Sequence, residues 1–406
     1  MKIILGGVIS LPPVSAGCVW NRLQYVLGLR RLGHDVYFVE EVRPQWCVGA
    51  DGRPCPYDDS SNCRSFRAVT ERFDLARRSC QIYDGGAKTT GLTRRELMAF
   101  ARDADLLISI SGHVTTEWVL CGPERLAYLD QDPVYTQLWQ AEYGRELGLD
   151  KYDVLFTVGL NIGTPASPIP DCGVTWHHTL PPVVPDLWDG SRTDGAAVRE
   201  APHRFTTVAS WGGYGDLQFR GEWYRSKYDE VRRFADLPRR AGPAFEFELL
   251  LKDFRDDDEG IRLLTGNGWR ARRSGAEATD LSAYRDYIAR SSAEIGITKG
   301  AYVKGRSGWF SDRTAAYLAS GRPALAQSTG FESYLPTGRG LLSFSNVEEA
   351  VAGAGAIARD YAAHCRAARE LAAEYLDYRK VLPAMLDACA AAPDLPVSAR
   401  LESQEA

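Results

Sequence analysis

The chain of 406 residues is long for a single core and accommodates two domains. Its hydrophobic content of 45%, charged content of 25% and net charge of −5 are ordinary for a globular protein and argue against a general nucleic-acid or polyanion binder. Small local anion sites remain compatible with that balance.

Residues 1–17 carry one lysine, and Gly6-Gly7 and Pro12-Pro13 break their apolar run. This reads as a first strand and its loop, not as a signal peptide. No apolar run approaches the length of a membrane span, so a cytoplasmic protein without stable membrane insertion is expected. Residues 20–32 have helical spacing, and residues 35–40 follow as a strand, which makes a right-handed βαβ unit. Residues 43–63, rich in Pro, Gly, Asp and Cys, form an irregular excursion, and a helix is expected over 66–83. The nine cysteines are odd in number and widely spread, and Cys47, Cys55 and Cys63 lack zinc-site spacing. Reduced thiols, no metal and no cofactor are expected.

Buried strands are expected at 105–111, 125–130 and 153–158. Residues 1–180 therefore read as a doubly wound, Rossmann-like α/β domain. Residues 181–202 form a proline-rich and polar linker. The pattern then restarts over 203–370, with strands at 205–209, 245–252 and 293–297 and helices near 225–235 and 281–291. Residues 371–391 form a helix that returns to the first domain, and 392–406 a frayed tail. Two such domains enclose a cleft at the carboxyl ends of their strands, where ligands bind.

Residues 305–331, GRSGWFSDRTAAYLASGRPALAQSTGF, concentrate polar groups at the start of one short helix. Ser311 is the expected N-cap, with Asp312 and Arg313 in the first turn. A cation there opposes the helix dipole unless an anion is bound, or unless Arg313 pairs with Asp312 or Glu332. Lys304, Arg306 and Ser307 flank the same loop, and Lys252 ends an apolar strand facing the cleft. Gly212 and Gly213, after the first strand of the second domain, let backbone N–H groups approach a phosphate. Trp211 or Trp309 is suited to stacking on a base or to core packing.

In the first domain, His113, Asp130 and Asp132 follow strand ends. His113 has an ordinary pKa suited to proton transfer, or is a loop histidine. Asp130 and Asp132 sit at alternate positions, hence on one side. Either one is suited to general-base work, or both close a turn before Pro133.

These features resemble the GT-B glycosyltransferases. The resemblance rests on the SWGGYG loop (residues 210–215), on WFSDRTAAYLASGRPALA (309–326), and on Ser328-Thr329-Gly330-Phe331, placed where members contact the sugar. It implies an acceptor domain followed by a donor domain, and transfer of a sugar from a UDP- or dTDP-sugar to a small or medium-sized acceptor such as a natural product, without a metal. Gly330 and Phe331 join the expected donor site on this ground alone. The chain departs from the pattern at Gly308, where inverting members often carry a His, and at Ala316, where many members hold the ribose with a Glu. A nucleotide-sugar epimerase or hydrolase of the same fold, or a degenerate partner protein, are the alternative readings.

Overall fold

Short apolar runs build two mostly parallel sheets, and one cluster of buried apolar residues runs from the first sheet to the second. The computed structural model describes residues 1–11, 15–189, 203–252 and 259–393. The first sheet contains β1 (Lys2–Gly6), β2 (Asp35–Val42), β3 (Ser79–Tyr83), β4 (Lys88–Gly91), β5 (Leu106–Ile110), β6 (Arg125–Asp130), β7 (Val154–Thr157) and β8 (Trp176–His178). Their order is β4-β3-β2-β1-β5-β6-β7-β8, and only the β3–β4 pair is antiparallel. All five residues of β5 are buried, as befits a strand covered on both faces.

The second sheet is built from β9 (His203–Ala209), β12 (Phe245–Leu251), β13 (Arg270–Arg273), β14 (Ala293–Gly296), β15 (Ala324–Gln327) and β16 (Leu341–Phe344), all parallel in the order β13-β12-β9-β14-β15-β16. A separate hairpin, β10 (Leu217–Phe219) and β11 (Glu222–Tyr224), follows the glycine-rich loop. Strand order reverses between β1 and β5 in one sheet and between β9 and β14 in the other. The loops after β1, β9 and β14 therefore leave from switch points, where doubly wound sheets open a crevice.

The expected α/β fold with two doubly wound units is present. The helix expected over 66–83 is instead Ser61–Arg72, followed by β3. Ser60 caps its start, and Asp74 takes a positive φ of 54° just beyond its end, which a continuing helix does not allow. The proline-rich run contains β8, whose three residues are too few to announce a period, and a turn that buries Trp188 against Trp20. Of the expected linker and tail, residues 190–202 and 394–406 lie outside the described residues.

After β16 the chain forms the helices Val347–Arg359, Tyr361–Leu371 and Tyr378–Ala391. The last lies against the helix Ala16–Arg31 of the first domain. A Cβ on Gly28 would fall 2.6 Å from Leu382 Cδ1, so glycine sets that close approach. Among the described residues no helix is long and apolar enough to cross a membrane.

Candidate active site in the interdomain cleft

Two adjoining cavities open between the sheets, with volumes of about 190 and 470 Å³. They share Cys18, Ser210, Gly213, Lys299, Trp309 and Asp312 along their boundary. The smaller lies mainly against the second sheet, and the larger reaches the first.

The smaller lobe is cationic. Lys227, Lys252, Lys299 and Arg313 all line it. The chain has only eight lysines, so three of them meet in one place. Lys252 follows β12 and donates to the Ser15 hydroxyl, which caps the helix Ala16–Arg31. Lys227 starts the helix Lys227–Arg233 and has no hydrogen-bond acceptor among the described residues. Burial, then Arg313 and Lys299, hold its ammonium well below the usual lysine range, with Glu294 opposing them.

Arg313 is only 11% exposed at its side chain and pairs with Glu294, not with Asp312 or Glu332. Its Nε donates to Glu294 Oε1 at 2.6 Å and its Nη1 to the Val208 carbonyl at 3.1 Å. Burial alone would lower its pKa, but Glu294, together with Tyr284 and Tyr317, outweighs burial and raises it. The Glu294 carboxylate is fully buried, and its Oε2 lacks a partner among the described residues. Ser311 does cap the helix Asp312–Ala319, accepting from the Arg313 N–H at 3.2 Å. Gly212 and Gly213 line the lobe on exposed backbone, and Gly213 has φ +67°, a conformation that favours glycine.

In the larger lobe Asp132 joins the two domains. Its Oδ1 accepts from Lys299 Nζ at 3.0 Å and from the Tyr302 hydroxyl at 2.9 Å, and its Oδ2 accepts from the Tyr214 hydroxyl at 3.0 Å. Lys299 also sits 4.5–4.8 Å from the ring centroids of Tyr135, Tyr214 and Tyr302, a cation–π arrangement. Burial would raise the Asp132 pKa, but Lys299 and the two hydroxyls outweigh it and hold the carboxyl below the usual range. Asp312 lines both lobes. Burial raises its carboxyl above the usual range against the pull of Arg313 and Arg22.

Most of the remaining candidates from the sequence lie elsewhere. Asp130 and Asp132 do not share a side, because the strand ends at Asp130 and the alternation ends with it. Asp130 is fully buried and accepts from the Asp132 N–H, Thr136, Gln137 and Thr157 at 2.6–3.0 Å. It shapes the turn that presents Asp132. His113 is half-buried beside the larger lobe without lining it. Burial and Arg22 push its imidazole down to about 4, despite Asp132.

Lys304 turns away to Glu222 and the Trp223 carbonyl, at 2.6 and 3.0 Å. Arg306 and Ser307 form the domain junction: the Arg306 carbonyl accepts from Asn161 Nδ2 at 2.8 Å, and the Ser307 carbonyl from the Asn161 N–H at 3.0 Å. Gly330, at φ +94°, completes that junction, since a Cβ there would lie 2.5 Å from Asn161 Nδ2. Phe331 is core, packed on Phe310. Trp211 is buried against Tyr228, whereas Trp309 is half-buried and lines both lobes. Gly308, at φ +70°, would place a Cβ 2.8 Å from the Asn161 nitrogen, so the junction leaves no room for a histidine side chain.

The sequence reading missed Lys227, Lys299 and Arg22. Lysine scarcity was the available signal for the first two; Arg22, one of many arginines on an ordinary helix, gave none.

No protein-family model matches the sequence, and no curated protein matches it. Solved structures do match in fold. HepE of Anabaena in complex with UDP-glucose superimposes with a TM-score of 0.58 at 12% identity, covering 96% of this chain and 99% of that one. An alpha-glucosyltransferase in complex with UDP and a 13-mer DNA gives 0.57 at 12%, covering 96% and 98%. Sucrose-phosphate synthase from Thermosynechococcus elongatus gives 0.53 at 12%, covering 95% and 97%. The shared fold is the two-domain GT-B architecture.

Proposed function

We propose that the chain is a glycosyltransferase that moves a sugar from a UDP- or dTDP-sugar onto a hydroxyl of a small or medium-sized acceptor such as a natural product. The convergence of Lys227, Lys252, Lys299 and Arg313 on one lobe of the crevice carries this reading. When the glycosidic bond to the diphosphate breaks, negative charge develops on the leaving group. Fixed cations in a half-buried site stabilise it without reorganisation. In this reading they supply the charge that a divalent metal supplies elsewhere. Two of the proteins of similar fold, HepE and the alpha-glucosyltransferase, are in complex with UDP or UDP-glucose, which supports uridine nucleotides as donors.

The acceptor occupies the larger lobe. Its hydroxyl oxygen bonds to the anomeric carbon as the nucleoside diphosphate departs, and its proton passes to a base. Asp312 suits that role best. It reaches both lobes and burial lifts its affinity for a proton, whereas Lys299 holds Asp132 ionised and Asp130 is out of reach.

A thermal-shift screen of UDP, dTDP, GDP and their sugars, followed by nucleoside diphosphate release with candidate acceptors, tests the reading. Stabilisation by a uridine or thymidine diphosphate, and acceptor-dependent release, are expected. A protein that no nucleotide stabilises would have no donor site.

A further inference from the structure

Arg22 lies in the second turn of the helix Ala16–Arg31 and lines the larger lobe only. Its stem passes Gly7, just beyond the end of β1, where an added Cβ would stand 3.1 Å from Arg22 Cγ. The glycine keeps that path open. At its head the guanidinium has one neutral acceptor: Nη1 donates to Asn21 Oδ1 at 3.1 Å. That oxygen already accepts from Gln131 Nε2 at 2.8 Å. The Arg22 Nε is buried without a partner, and no carboxylate among the described residues ion-pairs with the group.

The charges facing Arg22 do not neutralise it. Asp132 is committed to Lys299, Tyr302 and Tyr214. Asp312, next to Arg313 in the chain, interacts with Arg22 through charge, but makes no ion pair or hydrogen bond with it. His113 is held neutral partly by Arg22 itself. A half-buried guanidinium with unspent N–H groups is costly unless a ligand completes it. Its planar fork matches the paired oxygens of a carboxylate or phosphate. The donor diphosphate has four cations of its own in the other lobe.

We infer that the acceptor carries a carboxylate or phosphate group, and that Arg22 is the specificity-determining residue that holds it. This rests on the donor reading above, which fills the first lobe with the nucleotide.

The full chain, saturated with UDP to occupy the first lobe, is titrated with glucose, glucuronate and glucose 6-phosphate. Either anionic sugar is expected to bind more tightly than glucose, and the stronger of the two identifies the source of the charge. Arg22→Gln should remove that preference, with a loss of about tenfold or more, while UDP binding stays within about twofold. Arg22→Lys, which keeps the charge but not the fork, should retain part of it. Equal binding of the three sugars, or a preference that survives Arg22→Gln, overturns the inference. A wild-type chain that UDP cannot saturate refutes the donor reading instead. Arg22→Gln that weakens UDP and the anionic sugars alike assigns Arg22 to the donor and also overturns the inference.

Discussion

Lys299 of the second domain donates to Asp132 of the first at 3.0 Å, across the crevice between the two sheets. The pair is one-fifth to one-quarter exposed, and two tyrosine hydroxyls complete the carboxylate. Asp132→Asn should therefore lower stability by about 1–3 kcal/mol, read by thermal or denaturant unfolding. Asp132→Asn with Lys299→Met should recover part of that loss, because no unpaired ammonium remains. The folded Asp132 pKa is depressed, so the contribution is present above the unfolded carboxylate value and lost only as pH falls through the lower folded one. The domain link should persist at pH 5.

Lys227 gives the donor lobe a pH signature. Its ammonium is depressed by burial and by Arg313, Lys299 and Lys252. A bound diphosphate favours the charged form and raises the pKa again. Binding should therefore take up a proton, and UDP affinity should fall as pH rises through the free-state pKa. Calorimetry in buffers of different ionisation enthalpy measures the uptake. Lys227→Met should abolish it.

Arg313 has two roles to separate. Arg313→Ala strands the buried Glu294 carboxylate and should cost about 3–5 kcal/mol. Adding Glu294→Gln should restore much of the stability. UDP affinity should stay low in the double variant, since the lobe still lacks its guanidinium.

His113 should not set the pH profile of the reaction. At about 4, its imidazole is neutral across the physiological range. His113→Gln should leave the shape of the pH–rate profile between pH 5 and 8 unchanged. A lost limb near neutrality would restore His113 as the base.

The sequence displayed the fold well because parallel strands buried on both faces read as apolar runs: residues 2–6, 106–110, 125–130 and 245–251 stand out by composition alone. The helix cap at Ser311 was legible from local chemistry. What was not legible depends on long-range pairing. Arg313 meets Glu294, a carboxylate in the middle of β14, and no local pattern announces that partner. Asp130 and Asp132 look equivalent in sequence, but the end of β6 turns one into the core and the other into the cleft. Arg306, Ser307, Gly308 and Gly330 form a polar, glycine-rich cluster because that loop packs against Asn161 of the other domain.

The most direct test of the donor site compares UDP, UMP and uridine by calorimetry on the intact chain. Four cations around one lobe predict that affinity follows the phosphates, with UDP tighter than UMP by about tenfold or more and uridine weakest. UDP binding no tighter than uridine would contradict the assignment of that lobe to a diphosphate.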